Sequence, residues 1–481
     1  MEKKGAQLIR WNRMIRERLT LFGQREDGSM VIFAVFVFIM ILLVTGMAVD
    51  FMRVETTRTR VQATLDRAVL AAADLDQTLP RDEVVADYMT KADLADALVG
   101  DPTVDEGLNY SEVSASAAVE VPMLFSGLAA VTNPGSSYHE SLTVPASATA
   151  EERVAKVEIS MVLDISGSMN SNNRIGNLRN AASEFVNTVL ADSNEDLISV
   201  SLVPYSEHVS AGEDLFGQFN TNQTHGYSYC LEFENGDFST TSMSRGSDYD
   251  QVQHFQWAYD GRNNDRTRTV CPRYSNQTIT PWSQDRNALL SQISQLNGTI
   301  QTSIHLGMKW GAGLLDPSTR PQLNGLIGQG DVDSAFAGRP ASYDDNETLK
   351  FIILMSDGEN TSSLRLQDWA YDSDSDRNHW NNYNLQYYLQ HYVDSRYHSR
   401  FYWWKYDSAT MNQLTHNICS AAKDNGIIIW TIGFEVPSDA GNTVLRNCAT
   451  SPSHFFDVDG VEISSAFSAI ATQINNLKLT R

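Results

Sequence analysis

The chain has 481 residues, 36 Lys and Arg against 59 Asp and Glu, a net charge of −23, and 42% hydrophobic residues. Such a length gives room for roughly two to four domains with real cores, and the composition excludes a disordered or collagenous chain. An acidic body without a basic stripe repels phosphate backbones, so nucleic acid is excluded as a partner and a metal cation or a basic partner fits better.

Residues 1–28 form a basic segment, in which Lys3, Lys4, Arg10, Arg13, Arg16, Arg18 and Arg25 outnumber four acidic residues. Residues 29–50 follow as a transmembrane helix: Met30 to Val49 is a run of twenty residues without a charge, matching a bilayer core of about 30 Å. The run exceeds the roughly 7–15 apolar residues of a cleaved leader, and it ends in Asp50 without a small-x-small cleavage site. Basic residues before the span outnumber Arg53, Arg58, Arg60 and Arg67 after it, which predicts a cytoplasmic N-terminus and a body on the outer side. All four cysteines, Cys230, Cys271, Cys419 and Cys448, lie beyond the span. An oxidising compartment would pair them; three connectivities are possible, and the local one joins Cys230 to Cys271 and Cys419 to Cys448.

Beyond the span, Val54, Val61, Ala68 and Leu75 recur every seven residues, flanked by Leu65 and Ala72. With no Pro or Gly before Pro80, this predicts a membrane-proximal helix over 51–80 that continues the membrane helix and packs on other helices. Residues 81–152 read as a small α+β stalk: a helical piece around Glu83 to Leu98, then SEVSASAAVEV and SLTVPASATA around a turn at Asn133-Pro134-Gly135. From 153 to 481 the pattern is strand, helix, strand, helix. The apolar strands VEISMVL, LISVSLV, LKFIILM and IIIWTIGF do not alternate, as expected of parallel strands buried on both faces. Helical stretches fall at Arg174 to Leu190, Arg286 to Leu296, Thr302 to Leu315, Met411 to Lys423 and Val461 to Leu477. The fold class is therefore α/β, a doubly wound Rossmann-like domain, interrupted by polar insertions at about 206–285, 316–346 and 361–409.

The chemistry sits at strand ends. The first strand of this domain runs into Asp164-Ile165-Ser166-Gly167-Ser168, a later one ends in Ser356-Asp357-Gly358, and a loop before the 302–315 helix carries Thr299 and Thr302. Two carboxylates and about three hydroxyls at the carboxyl ends of parallel strands make a ligand set for a hard cation of the Mg²⁺ type. Such an ion leaves an octahedral position that a partner's acidic residue can fill. A helix cap is the competing use of the serines. A nucleophilic serine is disfavoured, since the G-x-S-x-G elbow is missing and no His stands in a comparable motif.

Asp164, Ser166 and Ser168, with a downstream threonine and Asp357, resemble the metal-ion-dependent adhesion site (MIDAS) of von Willebrand factor A (vWA) domains. The resemblance implies that Asp164, Ser166, Ser168, Thr302 and Asp357 coordinate Mg²⁺ directly or through water, with Mn²⁺ or Ca²⁺ as alternatives; Thr302 fits the family's spacing to Gly307 better than Thr299. Over nearly the whole chain, Gly28-Ser29 before the span, then GMAVDFMRV, RTRVQATLDRAVLAAA, VEISMVLDISGSM, TSIHLGMKWGAGLLDP, CSAAKDNGIIIWTIGFE, LRNCATSPSHFFDV and IATQINNLKLTR are similar to TadG-like Flp pilus-assembly proteins. That similarity implies a single-pass anchor in a bacterial inner membrane and a periplasmic or surface-facing vWA domain. It also implies a non-enzymatic role in building or anchoring tight-adherence pili through other envelope proteins. Phe33 stands where a processed pilin carries Glu, so no prepilin cleavage is expected at Gly28.

Other features weigh less. Asp372, Asp374 and Asp376 lack the Gly and Glu of a calcium loop and read as a solvated acidic loop. His305 reads as a structural histidine. Residues 369–406 hold thirteen aromatics, which suits a glycan platform or protein interface, or equally a mini-core of the insertion. An envelope adhesin that contacts glycan through this insertion is the alternative function.

Overall fold

A sheet or helix with an apolar face has to cover it, and the chain does so in two separate units, residues 1–153 and 154–481. The computed structural model describes residues 27–75, 77–107, 110–125, 141–191, 196–257 and 261–479. The basic residues Lys3 to Arg25 and the Asn133-Pro134-Gly135 turn lie outside the described residues.

In the first unit, α1 (Asp27–Ala73) is one helix of 47 residues. Between Met30 and Val49 its large apolar side chains are exposed around the helix, the pattern of a segment that faces lipid. Further on, Val54, Val61, Leu65, Ala68, Val69 and Ala72 are buried. The expected packing on other helices is met in part and within its own unit, by one short helix, with a sheet in place of further helices. The cover is α2 (Arg81–Lys91) and an antiparallel sheet of β1 (Thr103–Glu106), β2 (Tyr110–Pro122) and β3 (Ser141–Arg153), in the order β1-β2-β3. Val85 and Met89 from α2 and Val113, Ala117 and Ala146 from the sheet close the cluster. The helix also stops short of the expected 80. Arg81 Nη1 donates to the carbonyls of Ala72 (3.1 Å) and Asp74 (2.8 Å), satisfying acceptors that a helix end leaves open. Leu75 is consequently off the helix, its N–H donated to Glu152 Oε2 (2.8 Å).

The second unit is built on a six-stranded sheet. In chain order its elements are β4 (Lys156–Asp164), α3 (Arg174–Val189), β5 (Ile198–Tyr205), β6 (Thr280–Ser283), α4 (Arg286–Gln295), α5 (Ile304–Gly313) and β7 (Thr348–Ser356). Then come the short insertion strands β8 (Ser363–Leu366) and β9 (Tyr402–Tyr406), α6 (Ser408–Asp424), β10 (Ile428–Phe434), α7 (Asp439–Cys448), β11 (Phe455–Val458) and α8 (Glu462–Leu479). The sheet order is β11-β10-β7-β4-β5-β6. All neighbours are parallel except β5 and β6, which are antiparallel.

Helices cover both faces. On one, Val157, Ile159, Met161 and Leu163 of β4 pack with Leu178 and Phe185 of α3, Leu289 of α4 and Phe467 and Ile470 of α8. On the other, Val162, Ile352 and Leu354 pack with Ile304, Leu306 and Trp310 of α5 and Met411 and Ile418 of α6. The chain leaves β4 outward through β5 and β6 and returns to β7 on its other side, so the topological switch point lies between β4 and β7. In an open α/β sheet that is where ligands bind.

The insertions fold together. Cys230 and Cys271 are disulfide-bonded, and with Phe255, Leu364, Leu366, Tyr371, Trp380 and Leu385 they form a further core. From the aromatic-rich stretch Tyr371 and Trp380 therefore belong to a mini-core, with Tyr388, Phe401 and Tyr402 packed against it, while Trp369, Tyr392, Tyr397, Trp403 and Trp404 remain exposed. The acidic stretch at 372–376 starts a helix, with Ser373 and Asp376 forming a capping box. A second disulfide, Cys419–Cys448, joins α6 to α7 across β10 with a separation of 29 residues. Replacing both of these cysteines by Ser should cost about 3–4 kcal/mol through loop entropy returned to the unfolded chain. Urea unfolding of residues 154–481 under non-reducing conditions checks this, and an unchanged midpoint would contradict it.

Candidate metal centre

The two strands flanking the switch point end in carboxylates. Asp164, the last residue of β4, and Asp357, directly after β7, are both buried. Asp164 Oδ1 accepts the N–H of Ser166 (2.7 Å) and its Oδ2 accepts the hydroxyl of Ser356 (2.7 Å). Asp357 Oδ1 accepts from Ser168 Oγ (2.7 Å), with Ser166 Oγ at 3.5 Å, and the two serine hydroxyls lie 3.0 Å apart. Four of the residues singled out in the sequence thus meet in one hydrogen-bonded cluster. The helix-cap use of the serines is not observed: Ser166 precedes a short 3-10 turn without capping it by its side chain, and α3 begins only at Arg174.

The loop before α5 is fastened to this cluster through its backbone. Thr299 N–H donates to the Ile165 carbonyl (2.7 Å) and Gly167 N–H to the Ile300 carbonyl (2.9 Å). A Cβ at Gly167 would stand 2.7 Å from the Thr299 carbonyl oxygen, so only glycine allows this approach. Thr302 is held from the other side, its N–H donating to Thr361 Oγ1 (2.8 Å) and its carbonyl accepting from Thr361 N–H (2.9 Å). Among the described residues neither threonine hydroxyl bonds directly to Asp164, Ser166, Ser168 or Asp357.

Two residues not anticipated from the sequence complete the centre. Arg174, the first residue of α3, places Nη1 2.9 Å from Asp357 Oδ2 and Nε 2.8 Å from Glu435 Oε2. Glu435 follows β10 with a left-handed backbone, φ 51°, and also accepts from Asn172 (3.3 Å) and Gly460 N–H (3.2 Å). The signal available was weak: a cation opening the helix after the first motif and an acid just past the strand IIIWTIGF.

Electrostatically the centre is rich in acid, since Asp357 and Glu435 share the Arg174 guanidinium and Asp164 adds a third carboxyl group. Burial first, and the neighbouring Asp357 second, push Asp164 from 3.8 up to about 7. Burial also raises Asp357, whereas the hydrogen bond from Arg174 holds Glu435 below the usual carboxylate range. No cluster of three or more His, Cys, Asp or Glu side chains able to hold a metal occurs among the described residues. The donors here are two carboxylates and hydroxyls, which fit a hard divalent cation and not a soft one.

His305 is apart from this chemistry, buried between Phe238 and Tyr406 (ring centroids 5.1 and 5.2 Å) with its pKa lowered to about 3 by burial. Beside the centre the insertions form a rim. Glu207, just past β5, accepts from Ser363 Oγ (2.8 Å) and Trp257 Nε1 (3.0 Å), and Arg365 of β8 makes a two-pronged pair with Glu232 (2.7 and 3.0 Å).

A doubly wound sheet of this order, with an Asp-x-Ser-x-Ser turn and a second aspartate at its switch point, has the vWA-type fold, and among the described residues it follows one helix long and apolar enough to cross a membrane. Residues 28–75 match the model of the Tad family, described as “Putative Flp pilus-assembly TadE/G-like”. No curated protein matches the sequence. Among solved structures, the vWF domain of the type V pili tip protein Mfa5 from Porphyromonas gingivalis aligns at 16% identity with a TM-score of 0.36, covering 68% of this chain and 97% of that one. The pilus adhesin SpaC from Lactobacillus rhamnosus GG aligns at 14% identity and TM-score 0.34, covering 78% of this chain and 34% of that one. Proximal thread matrix protein 1 from the mussel byssus, with a zinc-occupied MIDAS motif, aligns at 12% identity and TM-score 0.29, covering 66% and 47%. The fold assignment itself rests on the strand order and connections described above.

Asp164 gives a pH test. Its carboxyl binds a proton more tightly in the folded chain than in the unfolded one, so without a divalent cation this contribution is fully present below about pH 4 and is lost as the pH rises through about 7. Buried His208, His225, His254 and His305, held below the ordinary imidazole pKa by burial, favour the folded unit at higher pH and so act in the opposite sense, which makes the readout a difference between two proteins: in chelator, the Tm of residues 154–481 relative to that of the Asp164→Asn variant should fall between about pH 5 and about pH 8. An equal pH dependence in the variant would contradict the assignment.

Proposed function

We propose that the chain is a membrane-tethered, non-enzymatic binding module of Flp (Tad) pilus assembly or anchoring. Asp164, Ser166, Ser168, Thr302 and Asp357 would hold a Mg²⁺ ion, directly or through water, with Mn²⁺ and Ca²⁺ as ions of similar donor preference. The observation that carries the reading is the meeting of two buried carboxylates and two serine hydroxyls at the switch point of the sheet. When bound, the cation supplies an open position for a hard anionic oxygen, here a carboxylate on a partner protein. The chain's own residues keep the ligands in place: Ser356 and the Ser166 N–H fix Asp164, while Ser168 and Arg174 fix Asp357. Glu435 in turn holds Arg174.

The non-enzymatic reading is supported by the surroundings of Ser166, whose hydroxyl faces Ser168 and Asp357; no imidazole bonds it among the described residues. The basic N-terminal segment and the two disulfides support an N-terminus in the cytoplasm and a body in the periplasm or at the cell surface, anchored in a bacterial inner membrane. A second reading is favoured by the exposed rings of Trp369, Trp403 and Trp404, which suit the apolar faces of sugars and would make the insertion a glycan-contacting surface.

In cells whose only copy carries Asp164→Ala, the protein should reach normal membrane levels while surface pili and adherence fall to background. Trp403→Ala with Trp404→Ala should leave piliation intact. Full piliation with Asp164→Ala, or its loss with the tryptophan pair, would move the function to the aromatic insertion.

A further inference from the structure

The far end of the β2–β3 hairpin lies against the membrane-spanning part of α1. Asp50, at the end of the apolar run, is 2% exposed, and its two carboxylate oxygens accept the backbone N–H groups of Leu124 (2.9 Å) and Phe125 (2.8 Å). One turn beyond, Arg53 Nη1 donates to the Pro122 carbonyl (3.0 Å). One turn back, Phe125 rests on Gly46: a Cβ at that glycine would come within 2.7 Å of Phe125 Cβ. Gly46 belongs to the apolar run itself and lies about 6 Å along the axis before Asp50, which puts Phe125 level with the span and not above it.

The side chains at this level are apolar and open. Leu124 is 61% exposed and Phe125 38%, beside the exposed Phe51 and Met52 of α1. Met123 packs inward on the cluster of Val54, Val121 and Val144. The polar groups at the same level satisfy one another. A carboxylate at the edge of hydrocarbon is costly unless hydrogen-bonded, and so is a non-helical backbone N–H. Asp50 and the Leu124-Phe125 backbone answer both needs at once.

We infer that the hairpin end is a second membrane contact, in which Leu124 and Phe125 enter the interfacial layer of the lipid bilayer beside α1. The occupant is lipid because the exposed apolar surface is continuous with that of Met30 to Val49; the inference therefore rests on reading those residues as a membrane span. The membrane-proximal domain is then held to the bilayer at two points, the helix and the hairpin.

The test uses the full chain in phosphatidylcholine bilayers, with one nitroxide label at Leu124→Cys and two references. Phe36→Cys lies inside the apolar run, and Val104→Cys lies on β1, which pairs with the opposite end of β2. The four native cysteines are held in disulfides, so each variant offers one thiol. The ratio of oxygen to nickel-chelate accessibility at Leu124 should be several-fold above that at Val104 and lie between it and the higher ratio at Phe36, as for a site in the interfacial layer. A ratio equal to that of Val104, with Phe36 still lipid-like, would overturn the hairpin contact alone. A water-like ratio at Phe36 as well would overturn the span and the hairpin contact together. Because Leu124 is exposed, labelling it leaves the fold intact; Asp50→Ala adds a check, since it should lower the ratio at Leu124 by freeing the hairpin end.

Discussion

Two carboxylates held side by side out of water are the constraint on which the second unit turns. Asp164 and Asp357 reach each other because β4 and β7 are neighbours in parallel register, with Met355 opposite Leu163. That adjacency exists only because the chain doubles back between them. Repulsion and burial both act against ionising the pair, and the surroundings offset it with serine hydroxyls, one backbone N–H and a guanidinium shared with Glu435. A protein that needed only a stable sheet could place apolar side chains there. Retaining the pair makes sense if a divalent cation offsets the charge, and that is the physical content of the proposed function.

The first unit answers a different problem. A 47-residue helix whose first part exposes apolar side chains and whose second part buries them must change its surroundings part way along. The change happens around Asp50, whose carboxylate accepts from the hairpin backbone, and one turn later Val54 is already in a protein core. The sevenfold spacing that marks a coiled-coil seam also marks any long helix buried along one stripe. Here the stripe of Val61, Leu65, Ala68 and Ala72 is filled by α2 and a three-stranded sheet.

What could be read from the sequence follows from how local each signal is. Strands buried on both faces write themselves as uninterrupted apolar runs, so β4, β5, β7 and β10 were legible, and with them the strand ends carrying Asp164, Ser166, Ser168 and Asp357. Arg174 and Glu435 were not, because their partnership joins residues 261 apart in the chain and neither stands in a pattern. The Asp50 contact with Leu124 and Phe125 was hidden for the same reason, as was the cover over the helix seam. Glycine and serine positions were intermediate. Gly167 belongs to a visible motif, yet its necessity comes from the Thr299 carbonyl pressed against it. The aromatic stretch at 369–406 was visible as composition alone, which cannot divide Trp380, buried in a core, from Trp404, open to solvent.

The central claim is that the acidic centre between β4 and β7 binds a divalent cation. Calorimetric titration of Mg²⁺ into residues 154–481, wild type against Asp164→Asn, at a pH above that at which Asp164 loses its proton, tests it most directly. The account predicts saturable one-to-one binding in the wild type and its loss in a variant that remains folded. Absence of binding to the folded wild type, or equal binding to both proteins, would contradict it.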